Sequence, residues 1–343
     1  MASQIGFRFD VCQGCGNAFT QDNNSGAHVI PNALSGNLKP KGIICRGCNG
    51  KLDDIADNEL IDAFAAWPTL LDLPRDRGEN PPRRIPTRNG KTVRLEADGS
   101  LTRTDIVYDV VAEGEERHVV TIGAGDMRTF ENLLKRAAKQ FPHLDPQVAL
   151  AHARKVGVPD GDELKMGIDF SNSKIMGGIL TAIWLYLLHS TGHRFMSWDR
   201  LLTAIGKMQG DGGNFRHLTA GLPGLVGPEI PIGHKIIVRS NPRTGDLVTY
   251  VEILGVLRIG GLFASGSVGH FIEHVYVYDV LNRTDRSHEF SIDPAPFDAI
   301  NDWTTEGINP AEGGRLRDHY QEVIAAVFGK RYIERAGEES TEP

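Results

Sequence analysis

Residues 25–54 read SGAHVIPNALSGNLKPKGIICRGCNGKLDD, and the fold of the N-terminal region is decided by how this stretch is parsed. A short apolar run, His28-Val-Ile, ends at Pro31. A loop carrying Gly36 leads to a second apolar run, Gly42-Ile-Ile, that ends in Cys45-Arg-Gly-Cys48. From Cys48 onward the pattern turns helical, with Leu52, Ile55 and Ala56, then Leu60, Ala63 and Phe64, at helical spacing. Strand, loop, strand and helix follow one another in little more than thirty residues.

Upstream lies a second Cys-x2-Cys pair, Cys12 and Cys15, and these four are the chain's full complement of cysteine. Two such pairs, separated by 29 residues, can set four thiolates around one tetrahedral Zn²⁺. A redox dithiol would come singly in a βαβ setting, and no secretion signal at the start of the sequence favours disulfides. Four thiolate ligands leave no open coordination position, so such a zinc is structural. In so small a unit it can supply apparent folding free energy on the order of 10 kcal/mol.

The order of pieces Cys12-Gln-Gly-Cys15, His28-Val-Ile-Pro31-Asn-Ala-Leu, Gly36 and Ile44-Cys45-Arg-Gly-Cys48-Asn49 resembles the HNH endonuclease family, in its branch with two zinc knuckles. The likeness covers residues 10 to about 60 and continues more weakly to about 100. It implies a ββα-metal fold that hydrolyses phosphodiester bonds. His28 would be the general base that deprotonates the attacking water, a task suited to imidazole. Asn49 would help to hold a catalytic Mg²⁺ or Mn²⁺ that stabilises the leaving 3′ oxygen. Asn37 is the candidate for the central Asn that orients the histidine, with Asn32 as its rival. At Ala27 the chain departs from its relatives, which carry an acidic residue or His there as a metal ligand. Three readings stay open: an inactivated form of an acidic-residue parent, a natural descendant that binds DNA without cutting, or a metal site completed by Asp53 or Asp54.

The remaining chain is read as α+β. Residues 1–72 form the HNH-like unit, 73–116 a basic linker with a β-hairpin around Asp98-Gly99, 117–333 a larger α+β domain for recognition, sensing or oligomerisation, and 334–343 a disordered acidic tail. Helices are expected at 128–140, 146–155, 173–191, 197–208 and 313–331. Strands are expected at 117–122, 164–169, 234–240, 247–258, 273–281 and 287–292, not in the strict alternation of a doubly wound sheet. From Arg75 to Arg94, Arg75, Arg77, Arg83, Arg84, Arg88, Lys91 and Arg94 face only Asp76 and Glu79, in a chain of formal net charge −7. Such an excess suits phosphate contacts with little sequence preference, which points to double-stranded DNA as partner.

Other motifs carry less. His270-Phe-Ile-Glu-His274 has zinc-protease spacing, but its β-branched and aromatic surroundings indicate a strand, on which its histidines stand roughly 13 Å apart. His189-Ser-Thr-Gly-His193 reads as a helix C-terminus, Thr121-Ile-Gly-Ala-Gly-Asp126 as a turn, and Ile175 to Leu188 as a buried helix or oligomer face, too short to cross a bilayer. A soluble, cytoplasmic protein without membrane contact is expected, in a homodimer or higher oligomer. The layout resembles nucleases of bacterial or phage restriction and antiviral defence.

Overall fold

The computed structural model describes residues 6–75, 78–97, 99–112, 118–154, 173–211, 215–218, 221–241, 243–264 and 268–294. It divides into two compact units: residues 1–64, 73–77 and 168–343 form one, and 65–72 with 78–167 the other. The architecture is mixed α+β, as the sequence indicates. Among the described residues no helix is long and apolar enough to cross a membrane.

In the first unit, β1 (Asn24–Gly26) and β2 (Lys41–Cys45) pair antiparallel, and helix α1 (Arg46–Leu52) follows without a break. A π-helical turn, Asp53–Asp57, continues α1 into α2 (Asn58–Ala63). The loop between the strands is drawn tight where Gly36 meets Ile30, since a Cβ on Gly36 would stand 1.9 Å from the Ile30 carbonyl oxygen. Ala27, Val29 and Ile30 are buried on either side of half-buried His28.

The second unit opens with α3 (Trp67–Leu70), then a three-stranded antiparallel sheet of β3 (Arg83–Pro86), β4 (Thr92–Leu95) and β5 (Leu101–Arg103). Ile85, Val93 and Leu95 alternate inward and bury against Leu70, so that the stretch read as a basic linker contributes β3 as well as the hairpin strands. The expected hairpin is the β4–β5 pair, with Gly99 at φ +79° in its turn. Strands β6 (Val107–Ala112) and β7 (His118–Gly123) form a second hairpin. Asp126 then caps α4 (Met127–Gln140) by accepting from the Thr129 amide at 2.8 Å, so the Gly-rich segment is a turn and a cap. Helix α5 (Pro146–Ala151) is shorter than expected, and the expected strand 164–169 lies outside the described residues.

The chain returns to the first unit with α6 (Ile175–Thr191), buried at every residue from Ile175 to Leu188 and ended by Gly192 in the left-handed conformation. After α7 (Trp198–Asp211) and β8 (Phe215–His217) comes the pair partner strand β9 (Leu225–Val226). Strands β10 (Gly233–Ser240), β11 (Leu247–Ile253), β12 (Leu257–Ala264), β13 (Glu273–Asp279) and β14 (Thr284–Asp285) then complete an antiparallel sheet of order β14-β13-β10-β11-β12-β8, and β15 (Ser291–Ile292) pairs with β9. Two strand expectations need correction. The single strand 247–258 is two, because Leu254 and Gly255 turn at φ +54° and +75° within the apolar run. The first half of 287–292 is a 3₁₀ turn, Ser287–Glu289, and the extended backbone begins only at Phe290, with β15 its last two residues. The expected helix 313–331 and the tail 334–343 lie outside the described residues.

Helix α6 is the unit's axle. Its Gly178 lets α2 come close, a Cβ there being 2.8 Å from that of Leu60, while Tyr186 meets Tyr276 of β13 at a ring separation of 6.1 Å. His234 on β10 ties the nuclease-like loop to the sheet: its Nε2 lies 2.8 Å from the Leu34 carbonyl oxygen, and its Nδ1 accepts from the Leu254 amide at 3.3 Å. Burial holds this imidazole neutral, at a pKa of about 4.

Across β10, β11 and β12 a charged ladder is sealed into the sheet. Glu252, 1% exposed, receives Lys235 Nζ at 2.5 Å, Arg258 Nε at 3.0 Å and the Tyr250 hydroxyl at 2.6 Å. Burial raises the carboxyl and the two cations more than offset it, so its pKa lies below the ordinary value. The ladder's stability is therefore complete above the ordinary glutamate pKa and is lost as pH falls through the folded value. Glu252→Leu is expected to cost about 3–5 kcal/mol in urea unfolding, because two largely buried cations and a hydroxyl lose their partner. A loss within a few tenths would mean that water already screens the ladder.

Candidate nuclease site

The zinc-type cluster is assembled by the two knuckles. Cys12, Cys15, Cys45 and Cys48 bring their sulfurs within 4.8 Å of one another, and Cys15 Sγ lies 3.7 Å from Cys45 Sγ. Tetrahedral zinc with bonds of about 2.3 Å needs sulfurs about 3.8 Å apart, so the spacing fits the ion. Backbone amides turn toward the sulfurs as they do toward thiolates: Gly14 and Cys45 donate to Cys12 Sγ at 3.3 and 3.1 Å, and Cys48 donates to Cys45 Sγ at 3.5 Å. Burial raises the Cys45 thiol, yet the Cys48 amide and the neighbouring thiols bring it down to about 7. Burial pushes Cys12 and Cys48 up. Four crowded thiols of this kind favour a cation over four protons.

A second group of polar side chains lies along α1 and the turn that follows it. Asn49 Nδ2 donates to Asp53 Oδ2 at 3.2 Å, one helical turn on, and the amide's Oδ1, an acceptor, takes no part in that bond. Burial raises the Asp53 carboxyl. A hydrogen bond from Asp57 lowers it, the Asp54 charge raises it, and the nearby imidazole of His28 lowers it. Asp57 is 8% exposed, and burial and the Asp53 charge raise its pKa well above the ordinary value. Asp53 and Asp57 bound the π-turn, and each consecutive pair of Asn49, Asp53 and Asp57 is spaced by four residues. An extra residue in the turn alters the angular relation of Asp53 and Asp57 to α1, and such bulges recur at functional sites. His28, Asn49 and Asp53 thus share one neighbourhood, with Asp57 behind Asp53.

The other expected residues are distributed differently. Ala27 is fully buried beside His28 and offers no ligand atom. Asp54 is exposed and acts on Asp53 through its charge. Asn32 sits in the 3₁₀ turn Asn32–Leu34. Asn37 is exposed on the loop to β2, lining a cleft whose walls do not include His28, Asn49 or Asp53. Asp57 was not anticipated. Its signal in the sequence is an acidic residue four positions after Asp53, within an apolar helical stretch.

Of the basic residues, Arg75 is half-buried and Arg77 lies outside the described residues. Arg83 and Arg84 stand on β3, and Arg84 is paired in register with Arg94 on β4. Arg84, Arg94, Arg88 and Lys91 are all exposed. Two arginines directly opposite across a ladder repel, and Arg94 Nε is paired with Glu96 at 3.2 Å. His270 and His274 do not form a metal group: Glu273 and His274 are on β13, and Glu273 is ion-paired to Arg239.

Residues 12–65 match the family described as HNH endonuclease. No curated protein and no solved structure matches the chain. Residues 12–65 thus resemble HNH endonucleases, a likeness that suggests a nuclease-type function, and the same segment carries a four-cysteine cluster suited to zinc.

Proposed function

We propose that this protein is a metal-dependent endonuclease that hydrolyses DNA phosphodiester bonds, with Asp53 supplying the carboxylate that Ala27 lacks. The observation that carries the reading is the Asn49–Asp53 hydrogen bond at 3.2 Å, with the His28 imidazole near enough to lower the Asp53 carboxyl. An oxygen pair from Asn49 and Asp53 suits Mg²⁺ or Mn²⁺, which take oxygen ligands and keep several waters. When bound, the ion supplies charge stabilisation to the phosphate and the leaving 3′ oxygen. His28 accepts the proton of the attacking water, and the Asp53 charge favours the imidazolium so formed. Asp57 holds Asp53 in place by donating to it. The Arg84–Arg94 face, with Arg88 and Lys91, gives duplex backbone a sequence-independent hold.

The test is plasmid nicking with Mg²⁺ or Mn²⁺. Asp53→Asn, which keeps shape and removes charge, is expected to lower the rate at least about a hundredfold, or about 2.7 kcal/mol of transition-state stabilisation. In that background Ala27→Asp is expected to restore part of the loss, because it returns a carboxylate beside His28. Full activity of Asp53→Asn would place the ligand elsewhere. The second reading, favoured by Ala27 alone, is a zinc-stabilised DNA-binding or sensor protein that does not cut. It is chosen if neither the chain nor Ala27→Asp nicks DNA while binding persists.

A further inference from the structure

Beside the nuclease-like hairpin, within the same unit, lies a cleft of about 910 Å³ that the hydrolytic reading does not use. Its walls carry Arg8, Asn37, Lys39 and Lys41 from the N-terminal module, His189 from the end of α6 and Tyr276 from β13. The sole carboxylate among the lining residues is Asp285, and it is already occupied, accepting from the Ser287 amide at 2.9 Å and the Ser287 hydroxyl at 2.5 Å. Three cations against one engaged carboxylate is a strong local excess in a chain of net charge −7.

Two polar atoms on this wall are buried without a hydrogen-bond partner: the Tyr276 hydroxyl, on a residue 4% exposed, and His189 Nδ1. The Leu38 amide approaches the Tyr276 oxygen without completing a hydrogen bond. Buried polar groups in folded proteins are paired with few exceptions, and an orphan beside a cleft marks where a ligand atom belongs. Burial keeps the Tyr276 phenol protonated, hence able to donate, and keeps His189 neutral. The His189 ring is also held in position and its Nδ1 is covered by Gly6: a Cβ there would lie 1.6 Å from Cε1 and 1.9 Å from Nδ1, and the Phe7 amide donates to the His189 carbonyl oxygen at 2.8 Å.

We propose that this cleft binds a phosphate-bearing small molecule of nucleotide size. The cations of Arg8, Lys39 and Lys41 meet the phosphates, and the Tyr276 hydroxyl meets a polar group deeper in, with the His189 ring forming part of the wall. The volume falls within the range of small-molecule sites, roughly 300–1,000 Å³. A duplex backbone, spread over a wide cylinder, reaches the rim of such a cleft and not its buried oxygen. The proposal goes beyond the nuclease reading and does not depend on it.

The test is calorimetric titration of the full chain with ATP and with pyrophosphate as probes, without added divalent metal and alongside a 20-base-pair duplex. The expected result is saturable binding of one ATP per chain, weakened about tenfold or more by Lys39→Ala/Lys41→Ala. Tyr276→Phe is expected to weaken it severalfold while leaving the melting temperature equal to or above the parent's, because the orphan hydroxyl is removed. A merely structural Tyr276 would lower the melting temperature and leave affinity unchanged. Absence of saturation by ATP at millimolar concentration overturns the proposal. So does ATP binding that neither variant alters, or a lysine effect confined to the duplex. Nicking is not a readout, so failure of the nuclease reading stays distinguishable.

Discussion

His28→Ala is expected to slow metal-dependent nicking of supercoiled plasmid by between about 10²- and 10⁴-fold, with fold and metal affinity unchanged. The magnitude is that of a general base removed from a proton transfer in the transition state. Little else should change, because the buried anchors of this strand end are Ala27, Val29 and Ile30 on either side. The Asn49–Asp53 hydrogen bond does not involve the imidazole. Melting temperature and Mn²⁺ affinity are the controls. The acid limb of the pH–rate profile, where a protonated imidazole stops accepting, should vanish with the side chain. A variant that nicks at the parent's rate would mean that His28 is not the base.

Removing the zinc is expected to have the largest effect on stability. One zinc per chain should be measured in the purified protein, and a strong chelator or Cys48→Ala should lower the melting temperature by at least about 10 °C. The estimate follows from apparent zinc-site free energies on the order of 10 kcal/mol and a shift of about 2–4 °C per kcal/mol for a unit of this size. The loss cannot stay local. Cys45 and Cys48 open α1, α1 runs through the π-turn into α2, and α2 packs at Gly178 on the axle helix of the sheet. Near-ultraviolet circular dichroism from Trp184, buried on α6, should therefore respond as well. Protein without zinc that melts at the same temperature would contradict a structural ion at the four sulfurs.

The zinc-type cluster, the ββα order and the buried helix were legible because each is written in local spacing. Four cysteines in two knuckles have few geometric solutions, and an unbroken apolar run from Ile175 to Leu188 has to be buried all round. The end of that helix at Gly192 was legible for the same reason. The division of 247–258 into β11 and β12 was not, because its turn is made by Leu254, a residue that seldom takes positive φ, inside a run that looks like one strand. The stretch 287–292 misled in another way. Asp285 accepts from Ser287, and Arg286 pairs with Glu289, which bends a segment whose composition reads as extended.

At the candidate site, His28 and Asn49 were marked by their places in the motif, and Asp53 by proximity alone. Asp57, four positions after Asp53 and so its neighbour on the same helical face, was passed over because nothing in its sequence surroundings sets its burial apart from that of an exposed helical carboxylate. The cleft lies further from view. Lys39, His189 and Tyr276 are brought together only when α6 and β13 pack beside the N-terminal module, across more than two hundred residues of chain. Packing of this kind depends on tertiary contacts that composition cannot report.

The most direct measurement is the anomalous signal of Mn²⁺ in crystals of the chain. The expected result is one ion with the Asp53 carboxylate and the Asn49 amide oxygen at roughly 2.0–2.3 Å, and with the His28 imidazole facing it across a water. An ion bound elsewhere, or full occupancy in Asp53→Asn, would contradict the assignment of Asp53 as the ligand that stands in for Ala27.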